Sequence, residues 1–125
     1  MKNAVNWFEI PVKDYQRAKQ FYATVIGTEI TDHHMPDETI KYGIFNYDME
    51  NNGVGGAIIQ GEGQTPTTEG ATIYLNGGDD LGLPLSRVEP NGGKILMPKT
   101  NINENGFIAQ FIDTEGNRIA LHSMM

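Results

Sequence analysis

Between residues 4 and 12 apolar and polar positions alternate. Phe8, Ile10 and Val12 fall on one face, and Val5, Trp7, Glu9 and Pro11 on the other. That period belongs to a strand, and Pro11 places its end at an unpaired or bulged edge. The period then changes. Ala18, Phe21, Tyr22 and Val25 are spaced as one face of a helix, with Asp14 as the N-terminal cap and Gly27 as the stop. Three strand-like runs follow, over residues 28–33, 40–47 and 54–60, and Glu50-Asn-Asn-Gly53 makes the turn between the last two.

Residues 61–69, rich in Gly, Thr and Glu around Pro66, read as a linker, and after them the order of elements repeats. Residues 71–76 form a strand. Asp79 or Asp80 opens a short helix with Leu81, Leu85 and Val88 on one side, and Pro84 is tolerable only in its first turn. Asn91-Gly-Gly93 ends that helix. Strands are expected over 94–98, 107–112 and 118–123, the last two joined by Asp113-Thr-Glu-Gly-Asn117, which supplies Gly and Asn where a hairpin turn needs positive φ. The chain thus reads as an α+β protein of two βαβββ modules, 1–60 and 70–125, in a single domain. The halves match in element order far better than in residues. Four strands with one helix behind them leave the other face of each sheet open, to be buried against another sheet or to hold a ligand.

Composition narrows the partners. A net charge of −7 argues against nucleic acid or an anionic membrane, both of which demand a basic face. No cysteine is present, so disulfides, thiolate zinc sites and a cysteine nucleophile are excluded. The N-terminal stretch lacks the apolar run of a signal peptide, and no window approaches a membrane span. A cytoplasmic protein is the expectation.

Three stretches carry a family resemblance: Phe8-Glu-Ile-Pro-Val-Lys-Asp-Tyr-Gln-Arg-Ala-Lys-Gln-Phe-Tyr22, Gly92-Gly-Lys-Ile-Leu-Met-Pro-Lys-Thr100, and the run from Asp113 to His122. With them the chain resembles the vicinal-oxygen-chelate superfamily of glyoxalase I, bleomycin- and fosfomycin-resistance proteins and extradiol dioxygenases. The resemblance implies paired βαβββ modules curling around a cavity, assembled as a homodimer, with the pairing of modules within one chain or across a dimer left open. It also implies a metal ligand on the first and last strand of each module. Those positions fall here at Trp7, Gln60, Thr72 (or Ile73) and Ala120. Only Gln60 among them could touch a metal, and weakly. The expectation is therefore no metal and no cofactor.

Strand parity gives the cavity face. With Phe8, Ile10 and Val12 packed on the helix, Trp7 and Glu9 point into the cup. The same reasoning adds Ile58 and Gln60, Thr72 and Tyr74, and from the last strand Arg118, Ala120 and His122, with Tyr42 from the third strand. Trp7, Tyr42, Gln60, Thr72 and Tyr74 are the candidate ligand-binding residues for a small planar organic molecule. Glu9 and His122 are the candidate catalytic groups. Glu9, if desolvated beside Trp7, has the makings of a general base, but it also suits open water or an ion pair with Arg118 or a lysine. His122 is either a proton shuttle or a polar residue near a strand end. His33 and His34, adjacent on the chain, cannot both ligate one ion from a strand and are placed in a loop. Three readings stay open: a metal-independent small-molecule binder; a lyase or isomerase working through Glu9 or through relocated metal ligands; and a dimeric interaction domain with a filled cavity.

Overall fold

The computed structural model describes residues 2–125; Met1, where the first expected module begins, lies outside them. β1 (Trp7–Pro11) leads into α1 (Tyr15–Tyr22), which begins where the Asp14 carboxylate accepts the Arg17 N–H at 3.1 Å. Ala18, Phe21, Tyr22 and Val25 are all buried, as their spacing requires. The helix runs on into a π-helical turn (Ala23–Gly27), which Gly27 closes at φ 76°. β2 (Ile30–His33), β3 (Lys41–Phe45) and β4 (Gly55–Gln60) complete a sheet of order β1-β4-β3-β2, in which only β1 and β4 are parallel.

The second half repeats this topology. β5 (Tyr74–Asn76), α2 (Gly82–Ser86), β6 (Lys94–Asn101), β7 (Phe107–Ile112) and β8 (Arg118–Ser123) give the order β5-β8-β7-β6, with β5 parallel to β8. β5 is shorter and β6 longer than the sequence suggests, and β6 carries two register shifts against β7. α2 is the shortest departure. Leu81, Leu85 and Val88 are buried as expected, but the helix covers only five residues before a 3₁₀ turn at Glu89–Asn91. Among the described residues no helix is long and apolar enough to cross a membrane.

One core joins the two sheets. Ile10, Phe45 and Ile58 from the first sheet, Phe21 and Tyr22 from α1, and Ala109, Phe111, Ile119 and Leu121 from the second belong to the same buried cluster. The Tyr22 ring stands edge-on to Phe45 at 5.6 Å, and Phe21 lies 6.0 Å from Phe111. α1 therefore has a sheet on each side. Because strand residues alternate between faces, the opposite face of each sheet points outward, away from the other sheet.

The turn between β7 and β8 locks this sandwich. Glu115 is fully buried and accepts the backbone N–H groups of Lys13 and Asp14 at 2.8 and 2.7 Å, and the Arg17 guanidinium at 2.7 Å. Asn117 donates to the Pro11 carbonyl, and the Tyr22 hydroxyl donates to Asp113. The two most recognisable stretches of the sequence, residues 10–17 and 113–117, are thus the two halves of one joint.

Candidate functional site

The outward face of the first sheet carries the densest chemistry. Register places Glu9 beside Ala57, and Ala57 beside Ile44; Tyr42 lies beside Ile59. Gly55 leaves room for the Tyr47 ring, which any Cβ there would strike, and Ala57 is the small residue beside Glu9. The Trp7 indole N–H donates to the Tyr42 hydroxyl at 2.8 Å, and that hydroxyl donates to the Glu9 carboxylate at 2.7 Å. Burial, and then the bond to Glu9, raise the Tyr42 pKa, so the phenol stays a protonated donor. Trp7 is further fixed by Tyr47, edge-on at 5.6 Å. Met35 and Ile40, from the loop after β2, fold over the same face. Glu9 itself is exposed, so its carboxylate has lone pairs free to meet a ligand. The ion pair with Arg118 does not form.

The outward face of the second sheet holds Tyr74, Ala120 and His122, since Tyr74 pairs with Ala120 and Asn76 with His122. Tyr74 is 47% exposed. Thr72 sits just before β5, where its hydroxyl accepts from Arg118 at 2.6 Å; the same guanidinium reaches the Gly70 carbonyl at 2.9 Å. The His122 ring meets the Asn105 carbonyl at 2.7 Å, so that nitrogen carries the proton and donates.

Three residues are placed otherwise than expected. Gln60 and Ile58 do not join this face. Ile58 lies in the core beneath α1, and the Gln60 side chain accepts the Tyr15 N–H at 2.7 Å, helping to start the helix. β4, Gly55-Gly-Ala-Ile-Ile-Gln60, has no polar alternation to reveal its faces; its pairing with β1 decides them. The residue that β4 presents beside Glu9 is Ala57, which sequence reasoning missed. It mirrors Ala120 beside Tyr74 in the second sheet. His33 is also in a strand rather than a loop: it ends β2 with its ring 6.1 Å from Tyr42, and His34 begins the loop. Within one chain, Trp7, Glu9 and Tyr42 come together on one outward face, and Thr72, Tyr74 and His122 lie on the other.

This architecture defines a class. The model of the Glyoxalase/Bleomycin resistance protein/Dioxygenase superfamily matches residues 4–121, and the chain belongs to that family. Among individual relatives, "Putative glyoxylase CFP32" of Mycobacterium tuberculosis is 26% identical over 118 residues, covering 93% of this chain and 44% of that protein. Among solved structures, glyoxalase I from Zea mays superposes with a TM-score of 0.73 at 22% identity, over 94% of this chain and 45% of that one. The fosfomycin resistance protein FosX from Listeria monocytogenes gives 0.65 at 15% identity, over 100% and 96%. These structural likenesses show the fold. The chain spans less than half the length of the curated relatives it matches.

Proposed function

We propose that this protein binds a small planar organic molecule without a metal, in a cup that two copies of the chain build together. The observation that carries the reading is the Trp7–Tyr42–Glu9 array, an aromatic wall hydrogen-bonded to an exposed carboxylate on an open sheet face. Aromatic area supplies affinity, and a few polar groups supply orientation. An anionic acceptor at Glu9 suits a ligand bearing an N–H, O–H or cationic group. Because the two outward faces of one chain point apart, enclosure of the ligand needs the second sheet of a partner copy, which brings Tyr74, Thr72 and His122.

The donor set argues against the metal the family resemblance implies. β1, β4 and β8 present Trp7, Ala57 and Ala120 outward, and Thr72, just before β5, is engaged by Arg118. An indole, two methyls and an engaged hydroxyl do not fit a divalent cation, and the Glu9 carboxylate and the His122 imidazole lie on the outward faces of different sheets.

Trp7 is the chain's single tryptophan, so its fluorescence reports on this face alone. Titration with aromatic amines and phenols should give saturable one-to-one quenching. Glu9→Gln should weaken it roughly tenfold, the value of a charge-assisted bond reduced to a neutral one. Absence of saturable quenching across both compound classes, or an affinity indifferent to Glu9→Gln, contradicts the proposal.

The exposed carboxylate supports a second reading, in which Glu9 takes a proton from carbon beside a carbonyl and returns it to a neighbouring atom, an isomerisation. Turnover that survives Glu9→Gln unchanged rules it out.

A further inference from the structure

A second cavity lies on the opposite side of the first sheet, between the two sheets rather than outside them. Its volume is about 550 Å³, within the range of small-ligand pockets. Phe8, Phe45 and Ile26 form one wall, and Leu75, Leu83 and Pro84 the other. Its origin is the mismatch between the helices. α1 with its π-helical turn continues for eight plus five residues, whereas α2 has five and is only about 7.5 Å long. The helical layer therefore ends early and leaves the far end of the inter-sheet space unfilled. Phe8 is held flat against that space because it covers Gly56, where any Cβ would collide with its ring.

Two details point to a ligand rather than to a packing defect. Leu83 stands at the mouth 61% exposed, a large apolar side chain turned mostly to solvent. Arg87 lines the cavity, half-buried, and among the described residues its guanidinium makes one hydrogen bond, a 3.3 Å contact with the Val25 carbonyl, and no salt bridge. The other acidic and basic groups at the cavity are Asp79 and Asp80, at the start of α2 while Arg87 follows its end, and Asp80 is held by Lys99 at 2.8 Å. The cavity is thus walled mainly by apolar side chains, with Thr28, Asn46 and Asn76 as neutral polar groups on its lining and a cation whose planar fork is largely unspent at the Arg87 end.

We infer that this cavity binds a small carboxylic acid, with an aromatic or branched apolar body between Phe8, Phe45 and Leu83 and its carboxylate on Arg87. It shares none of Trp7, Glu9 and Tyr42 with the outer face, although Tyr47 lines it and also packs edge-on against Trp7.

The test is an amide-detected NMR titration of the full chain with 3-phenylpropionate and, in parallel, its neutral isostere 3-phenylpropanamide. The expected result is saturable shifts at Phe8, Phe45, Leu75 and Leu83 with the carboxylate, binding at least tenfold tighter than the amide. Arg87→Gln, which keeps a donor for Val25, should erase that preference, and Glu9→Gln, on the outer face, should leave it intact. Equal affinity of acid and amide for the unmodified protein overturns the inference without recourse to any variant. So do shifts centred on Trp7 and Tyr42, or a carboxylate preference that survives Arg87→Gln. Protection of Leu83 that grows with protein concentration alone would assign the cavity to a second copy of the chain instead.

Discussion

Tyr42 is the residue on which the outer face turns. Its hydroxyl is at once the acceptor for Trp7 and the donor to Glu9, and it is 8% exposed. Tyr42→Phe removes both bonds and leaves the Trp7 indole N–H without a partner on a partly covered surface. We expect a loss of about 1–2 kcal/mol in urea unfolding, together with a shifted and broadened Trp7 emission. A stability unchanged by the substitution would mean that water replaces the hydroxyl at no cost. The parity of β1 made Trp7 and Glu9 legible in the sequence, because one face of that strand is continuously apolar and the other is not. Gln60 was illegible for the opposite reason: β4 is apolar on both faces, so only its pairing with β1 shows that Ala57 lies beside Glu9.

Among elements, the β7–β8 turn and the start of α1 depend on each other. Glu115 is withdrawn from water, which on its own raises its pKa, but the Arg17, Asp14, Thr114 and Lys13 bonds outweigh that and leave it lowered. A depressed carboxylate contributes stability that is present above its unfolded pKa and is lost as pH falls through the folded value. Acid should therefore release this joint, and Glu115→Gln should cost about 2 kcal/mol at neutral pH while flattening the acid limb of the stability curve. Equilibrium unfolding across pH reads both; parallel curves for the two proteins would contradict the assignment. The recognisable sequence at each end of this joint follows from its chemistry, since Asp113, Glu115 and Asn117 each serve a specific backbone or side-chain partner across the sandwich. The short α2 was less legible. The spacing of Leu81, Leu85 and Val88 reads as one helix face, although only Leu85 lies within α2; Leu81 precedes it and Val88 precedes the 3₁₀ turn that follows.

At the scale of the molecule, the sharing of one core by the two sheets decides where a ligand can be enclosed. Each sheet has apolar residues on both faces, so the sequence could not say whether the outward faces meet within the chain. With α1 between the sheets, they do not. A cup therefore calls for a dimer of twice the 13.8 kDa chain, and sedimentation should show one. Tyr74→Asp places a charge on an exposed, unpartnered position of the second outward face; we expect monomers that remain folded and no longer quench on ligand addition. A monomeric wild-type protein that still binds aromatic ligands at Trp7 would require a different closure.

The chain keeps the family's scaffold, and the function proposed above fills its cup with aromatic and carboxylate groups in place of a metal. Calorimetric titration of tag-free, chelator-treated protein with Ni²⁺, Zn²⁺, Mn²⁺ and Fe²⁺ tests it most directly. No saturable one-to-one heat is expected with any of the four ions. One-to-one binding that Glu9→Ala or His122→Ala abolishes would contradict it and establish a relocated metal centre.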